Sequence, residues 1–87
     1  MDISMQGTVF AINRQRGMVA IDTEYGFTII ELMSDDNIEV GDEMAWADDT
    51  AMGSETYVNR SKGERMDVYV QNHHVPKHQL RQQLLMR

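Results

Sequence analysis

Up to about residue 72 the chain is cut into short runs rich in β-branched and apolar residues, each closed by a turn carrying Gly, Asn or Asp. Thr8-Val9-Phe10-Ala11-Ile12 ends in Asn13-Arg14-Gln15-Arg16-Gly17, and Met18-Val19-Ala20-Ile21 ends in Asp22-Thr23-Glu24-Tyr25-Gly26. A third run covers 27–32. Two runs bridged by a short glycine-bearing turn read as a hairpin, and two in succession read as a three-stranded meander.

Ser34-Asp35-Asp36-Asn37 breaks this pattern, and the Ser34 hydroxyl suits the cap of a single helical turn. Gly41-Asp42 then turns the chain into a fourth strand over 43–47, and a fifth alternates over 55–59. Met66, Val68 and Val70 alternate with Asp67, Tyr69 and Gln71, the period of two of a strand with one buried face. Pro76 ends this regime. Residues 77–87 have no β-branched side chain and are rich in Gln, Leu, Arg and Met, so a short helix is expected behind a proline suited to its first position. Leu80 and Leu84 form a stripe on it. Eleven residues make a marginal free helix, so the stripe is expected to dock on the barrel or on a partner.

With 87 residues, this is an all-β single domain: a five- to six-stranded barrel over 1–74 and a helical tail over 75–87. Such a chain buries roughly 60% of its unfolded surface, and 41% hydrophobic with 25% charged residues fits a globular domain. Closure removes exposed sheet edges. OB-type and SH3-like barrels both fit, and the helical break between the third and fourth strands favours OB. No apolar run nears the ~18 residues of a membrane span, and Met1-Asp2-Ile3-Ser4-Met5 does not look like a signal peptide. Without cysteine there is no disulfide framework. A cytoplasmic, monomeric protein is the default expectation.

Charge divides the chain. Residues 1–58 hold two basic against twelve acidic residues, a balance of −10, and residues 59–87 hold six against two, a balance of +4. An acidic body disfavours broad polyanion binding, which rests on Lys and Arg contacts to phosphate. It permits the tail to pack on the body or to reach an acidic partner.

Residues 7–21 resemble the first hairpin of cold-shock domains, G-x-V-K-W-F-N-x-x-K-G-F-G-F-I: Gly7, Val9, Asn13, Gly17 and Ile21 match without a gap, and Arg16 stands for lysine. Ser34 resembles the serine after that family's third strand, and Val40-Gly41-Asp42-Glu43-Met44 its glycine-led entry to the fourth; the likeness is loose to about residue 59. It implies an OB-like barrel that binds single-stranded nucleic acid on strands one to three. The departures fall on the binding face. Ala11 stands for the family's tryptophan, Met18 and Ala20 for two phenylalanines, and the third strand keeps only Phe27. Base stacking is worth roughly 1–3 kcal/mol per base, so this face has lost most of its affinity for single strands.

No other constellation carries chemistry as well. His73, His74 and His78 have no cysteine or carboxylate cluster to complete a coordination sphere. Asp48-Asp49-Thr50-Ala51-Met52-Gly53 lacks the ligand pattern of a calcium loop. No histidine sits in a known pattern with a nucleophile, so neither catalysis, metal nor cofactor is expected. Among eight methionines, Met18, Met33, Met44, Met66 and Met86 are assigned to the core and Met5 and Met52 to the surface; Trp46 is assigned to the core.

Two functions follow. In the first, which the resemblance favours, single-stranded RNA or DNA binds on strands one to three through Phe10, Arg14, Arg16, Met18 and Phe27. In the second, the acidic barrel or the Leu80/Leu84 stripe binds another protein and nucleic acid is not a ligand. Phenylalanines facing outward beside the arginines favour the first, and buried ones count against it.

Overall fold

A computed structural model describes residues 5–34, 37–48 and 50–85. Six strands follow in order: β1 (Met5–Asn13), β2 (Met18–Thr23), β3 (Gly26–Leu32), β4 (Glu43–Trp46), β5 (Gly53–Asn59) and β6 (Glu64–Val75). A 3-10 turn at Lys77–Gln79 leads into helix α1 (Leu80–Leu85). Strands β1-β2-β3 form one meander and β4-β5-β6 another; β1 pairs with β4 and β3 with β6, every pairing antiparallel, and the sheet closes into a barrel. The architecture is all-β with a short C-terminal helix, as expected, and is compatible with an OB-like fold. No helix among the described residues is long and apolar enough to cross a membrane.

The single helical turn expected after Ser34 is absent among the described residues of that connection, whose Asp35 and Asp36 lie outside them. Its work is done instead by Ile38, fully buried in the barrel core, and by a turn at Val40-Gly41. Strand β6 runs four residues past Gln71, to Val75, because β3 continues to offer it a partner, with Phe27 opposite Val75.

Alternation along the strands fills the interior: Val9, Val19, Ile21, Ile30, Met44, Trp46, Tyr57 and Val68 share one buried cluster. Trp46 and Tyr57 stack there with centroids 4.5 Å apart and planes 6° from parallel. Met5 is in the core, against the expectation of exposure, because it pairs across to Trp46 on β4 and joins the same inner cluster. Met33 is exposed, just past the last residue of β3, where the alternation no longer directs it inward. Met52 is exposed as expected, and Met86 lies outside the described residues.

One end of the barrel is tied by a buried carboxylate. Asp42 accepts hydrogen bonds from the Glu39 amide (3.0 Å), the fully buried Asn59 side chain (2.8 Å) and the Lys62 ammonium (3.2 Å), which also pairs with Glu39. Backbone bonds join the same place: Val9 N–H donates to Asp42 O at 2.9 Å, and Gly41 N–H to Val9 O at 2.8 Å. Burial pushes the Asp42 carboxyl upward, but the hydrogen bonds from Asn59, Glu39 and Lys62 and the lysine's charge outweigh it, so the group titrates below its ordinary 3.8.

Gly7 is where β1 crosses close to β2. A Cβ there would lie 2.5 Å from Asp22 O and 2.7 Å from Ile21 Cγ2, so the backbone must shift for any other residue.

Asp42→Asn is expected to cost about 1–3 kcal/mol at neutral pH, from donors left with a poorer acceptor, as read by urea unfolding. A depressed folded value means that the contribution is present above about pH 4 and fades as pH falls toward that value. The gap between wild type and variant should therefore be flat at neutral pH and narrow on acidification; a constant gap would mean that the carboxylate's charge is not involved. Gly7→Ala is expected to lower stability by about 1–3 kcal/mol through overpacking, and thermal melts unchanged from wild type would contradict the close approach.

Candidate functional site

Four consecutive residues of β2, Met18 to Ile21, are buried, although a strand with one wet face should alternate. Val19 and Ile21 point into the barrel, while Met18 and Ala20 join a second cluster outside it with Phe27, Ile29, Val75 and Leu80. A bulge in β1 sets Val9 opposite Ile21 and Ala11 opposite Ala20, which leaves Phe10 as the extra residue. Ala11 and Leu84 pack at the edge of this outer cluster.

The C-terminal segment therefore lies over the outer face of β1 to β3. Its path begins in β6, whose register against β3 shifts twice between Phe27 and Ile30. His74 takes a left-handed φ of 55°, a conformation that an L side chain adopts only where its surroundings hold it. The Gly26 backbone fits beneath: a Cβ there would come within 3.1–3.2 Å of the His74 main chain. Val75 then turns into the outer cluster, Pro76 stays extended, and the Gln79 amide donates to Pro76 O at 3.0 Å to start the helical turn. At the far end, Asn13 Nδ2 donates to Leu84 O at 3.2 Å. Leu80 and Leu84, four apart, form the underside of this strap; Lys77 and Arg81, also four apart, stand on exposed positions.

The residues expected to contact nucleic acid are thus dispersed. Phe10 is 42% exposed; Phe27 is only 7% exposed and meets it edge-on with centroids 5.1 Å apart. Lys77 Nζ lies 5.4 Å over the Phe10 ring, a cation–π contact that the residue spacing did not foretell. Arg14 donates to Ile38 O and is committed to the connection before β4. Arg16 is exposed, with its backbone amide on Asn13 Oδ1. Met18 lies under the strap at 2% exposure. Leu80 and Leu84, the residues expected to meet a partner, are seated on this chain's own barrel.

His73 and His74 are likewise employed, and His78 is exposed. His73 lies within hydrogen-bond distance of Thr28 Oγ1 (3.0 Å, through Nδ1) and of Ala51 O (2.9 Å, through Nε2), which pins the β4–β5 loop to β6. His74 meets the Tyr25 ring edge-on at 6.4 Å. Among the described residues no group of three or more His, Asp or Glu is placed to hold a metal ion.

A second feature lies at the other side of the barrel. A groove of about 630 Å³ is lined by Met33, Ala47, Val68, Glu55 and Asp67 with Ser54 and Thr56 along its edge. Tyr57, beside it in sequence, buries its hydroxyl without a hydrogen-bond partner among the described residues, as Trp46 does its Nε1. Burial, with the nearby Glu55 charge, pushes the Tyr57 phenol well above its ordinary value. None of these groove residues was singled out as a site from the sequence. The sequence offered no signal for it, because the fourth run over 43–47 and the fifth over 55–59 read as equally long.

No protein-family model matches the chain, and neither a curated protein nor a solved structure does.

Leu80→Ala should remove about 2–5 kcal/mol from strap docking and release the segment while the barrel stands. Amide exchange at 80–85 is expected to accelerate with the β5–β6 amides unchanged. Loss of protection across the whole barrel would make the strap part of the folding core instead.

Proposed function

We propose that this chain is a non-catalytic binding module whose partners are proteins, built on a cold-shock-like scaffold whose base-stacking face has been given up. One observation carries the reading: Leu80 and Leu84 pack over Ala11, Met18 and Ala20, the three positions where a cold-shock domain keeps open aromatic rings. Small or flexible side chains there suit the seating of a helix, and a stacked base needs a flat exposed ring. The net charge of −6 supports the same reading, since a polyanion meets repulsion over most of the surface.

A second reading has its own observation. Lys77 over the exposed Phe10 ring, with Arg81 one turn on and Arg16 in the turn beyond Asn13, gives the outside of the strap a basic rim. RNA held there would depend on phosphate contacts and little on base identity.

The test is a two-dimensional amide NMR titration of the labelled chain with a mixed-sequence RNA oligonucleotide at low salt. The protein-binding reading expects an unchanged spectrum at millimolar RNA. Salt-sensitive shifts across 10–21 and 27–32 would restore the inherited face and overturn it. Shifts confined to Phe10, Arg16, Lys77 and Arg81 would transfer the function to the basic rim.

A further inference from the structure

Strand β5 is seven residues long and β4 only four. On one side β5 pairs with β6 throughout, from Gly53 opposite Val70 to Asn59 opposite Glu64. On the other it meets β4 at only two residue pairs, Met44 with Asn59 and Ala45 with Val58. Backbone groups of an antiparallel strand alternate between its two neighbours. The Arg60 amide donates to Glu43 O at 2.8 Å, so the alternation turns the main-chain groups of Val58, Thr56 and Ser54 toward the β4 side. Val58 meets Ala45 there. Among the described residues, Thr56 and Ser54 lie past the last β4–β5 pair, and their stretch of β5 is an edge of the barrel sheet.

We infer that this edge is a docking site for an extended basic segment of a partner protein, which adds as a strand beside Ser54–Thr56. The inference rests on the protein-binding reading and names its site and partner chemistry. Strand addition draws affinity from main-chain hydrogen bonds and specificity from pockets for alternate side chains. Both elements are present: the edge supplies the main chain, and the groove beside it offers Met33, Ala47 and Val68 to an apolar side chain. The charge selects the partner. Glu55 and Asp67 line the groove, and among the described residues no Lys, Arg or His does. Glu55, cross-strand from buried Val68, is on the inward side of the strand, and Asp67 accepts from Thr56 Oγ1 at 3.3 Å on the outward side. An entering strand therefore meets carboxylates on both faces, a match for Lys or Arg alternating with apolar residues. The same carboxylates repel a second copy of this edge, as inward charges on edge strands do, and discriminate against acidic segments.

The experiment is an amide titration of the intact chain with two synthetic peptides, one alternating Lys with Val and one alternating Glu with Val. With the Lys peptide, shifts should centre on Met33, Ser54–Thr56 and Asp67–Val68, the Ser54 and Thr56 amides should gain exchange protection, and the response should weaken with salt. The Glu peptide should leave the spectrum unchanged. Glu55→Gln with Asp67→Asn should weaken the Lys peptide at least about tenfold, the scale of losing charge-assisted contacts. Thr56→Pro, which deletes an amide aimed at the open edge rather than one in the β5–β6 ladder, should abolish the protection at Ser54. Folding of each variant is checked by an unchanged β1–β3 spectrum. Absence of binding, equal binding by the double variant, or a concentration-dependent dimer protected at β5 without peptide would overturn the site. Lys-peptide shifts on another face would remove this site and leave the protein-binding reading standing, whereas RNA shifts across 10–21 and 27–32 would remove the reading itself.

Discussion

The first four residues of β2 leave no face for water, and much of the molecule follows from that. Met18, Val19, Ala20 and Ile21 are all buried, yet a closed barrel covers only the inner pair. The outer pair needs a second cover, and the chain supplies it from its own C-terminus through Leu80 and Leu84. Apolar burial of this kind is worth about 25 cal/mol per Å², and a helix this short has little stability of its own. Strap and outer face therefore stabilise each other and neither is complete alone.

The same dependence explains the local irregularities. A strap that must leave β6 and cross back over β1 to β3 needs a sharp change of direction. His74 in a left-handed conformation, two register shifts in β6 and the Gly26 backbone beneath supply it. The β1 bulge works from the opposite side. By inserting Phe10 it sends Phe10 outward under Lys77 while Ala11 lies low against the strap cluster. An aromatic ring at Ala11, Met18 or Ala20 would compete with the strap for space, which gives a structural reason for the side chains found there.

The local pattern made the strands legible and left their partners obscure. Glycine-bearing turns and two-residue periodicity placed all six strands, because these signals arise within a few residues of chain. The apolar run of β2 was visible too, but a run of four does not say what covers its second face. Leu80 and Leu84 were recognised as a docking stripe with the occupant left open between barrel and partner, since that choice depends on how β6 bends at His74. Ser34 misled for a related reason. A good capping residue still needs a helix to cap, and the connection instead buries Ile38 and turns at Val40-Gly41. Met33 looked apolar enough for the core, but it lies one residue beyond the strand whose alternation would have carried it inward.

The two ends of the β4–β5 seam differ in a way that bears on function. Toward Asn59 the seam is locked, with Asp42, Asn59, Lys62 and Glu39 joined through a buried carboxylate and the Arg60 amide on Glu43 O. Toward Gly53 the β4–β5 pairs end, and among the described residues the buried Trp46 Nε1 and Tyr57 Oη have no hydrogen-bond partner. Buried polar groups are nearly always paired in proteins, and unpaired ones are costly. The tight network thus fixes the register at one end of the seam, and beyond Val58 the described residues of β5 run on as an edge. In a barrel whose opposite face is already filled by its own helix, that edge is where a partner would find main-chain groups to meet.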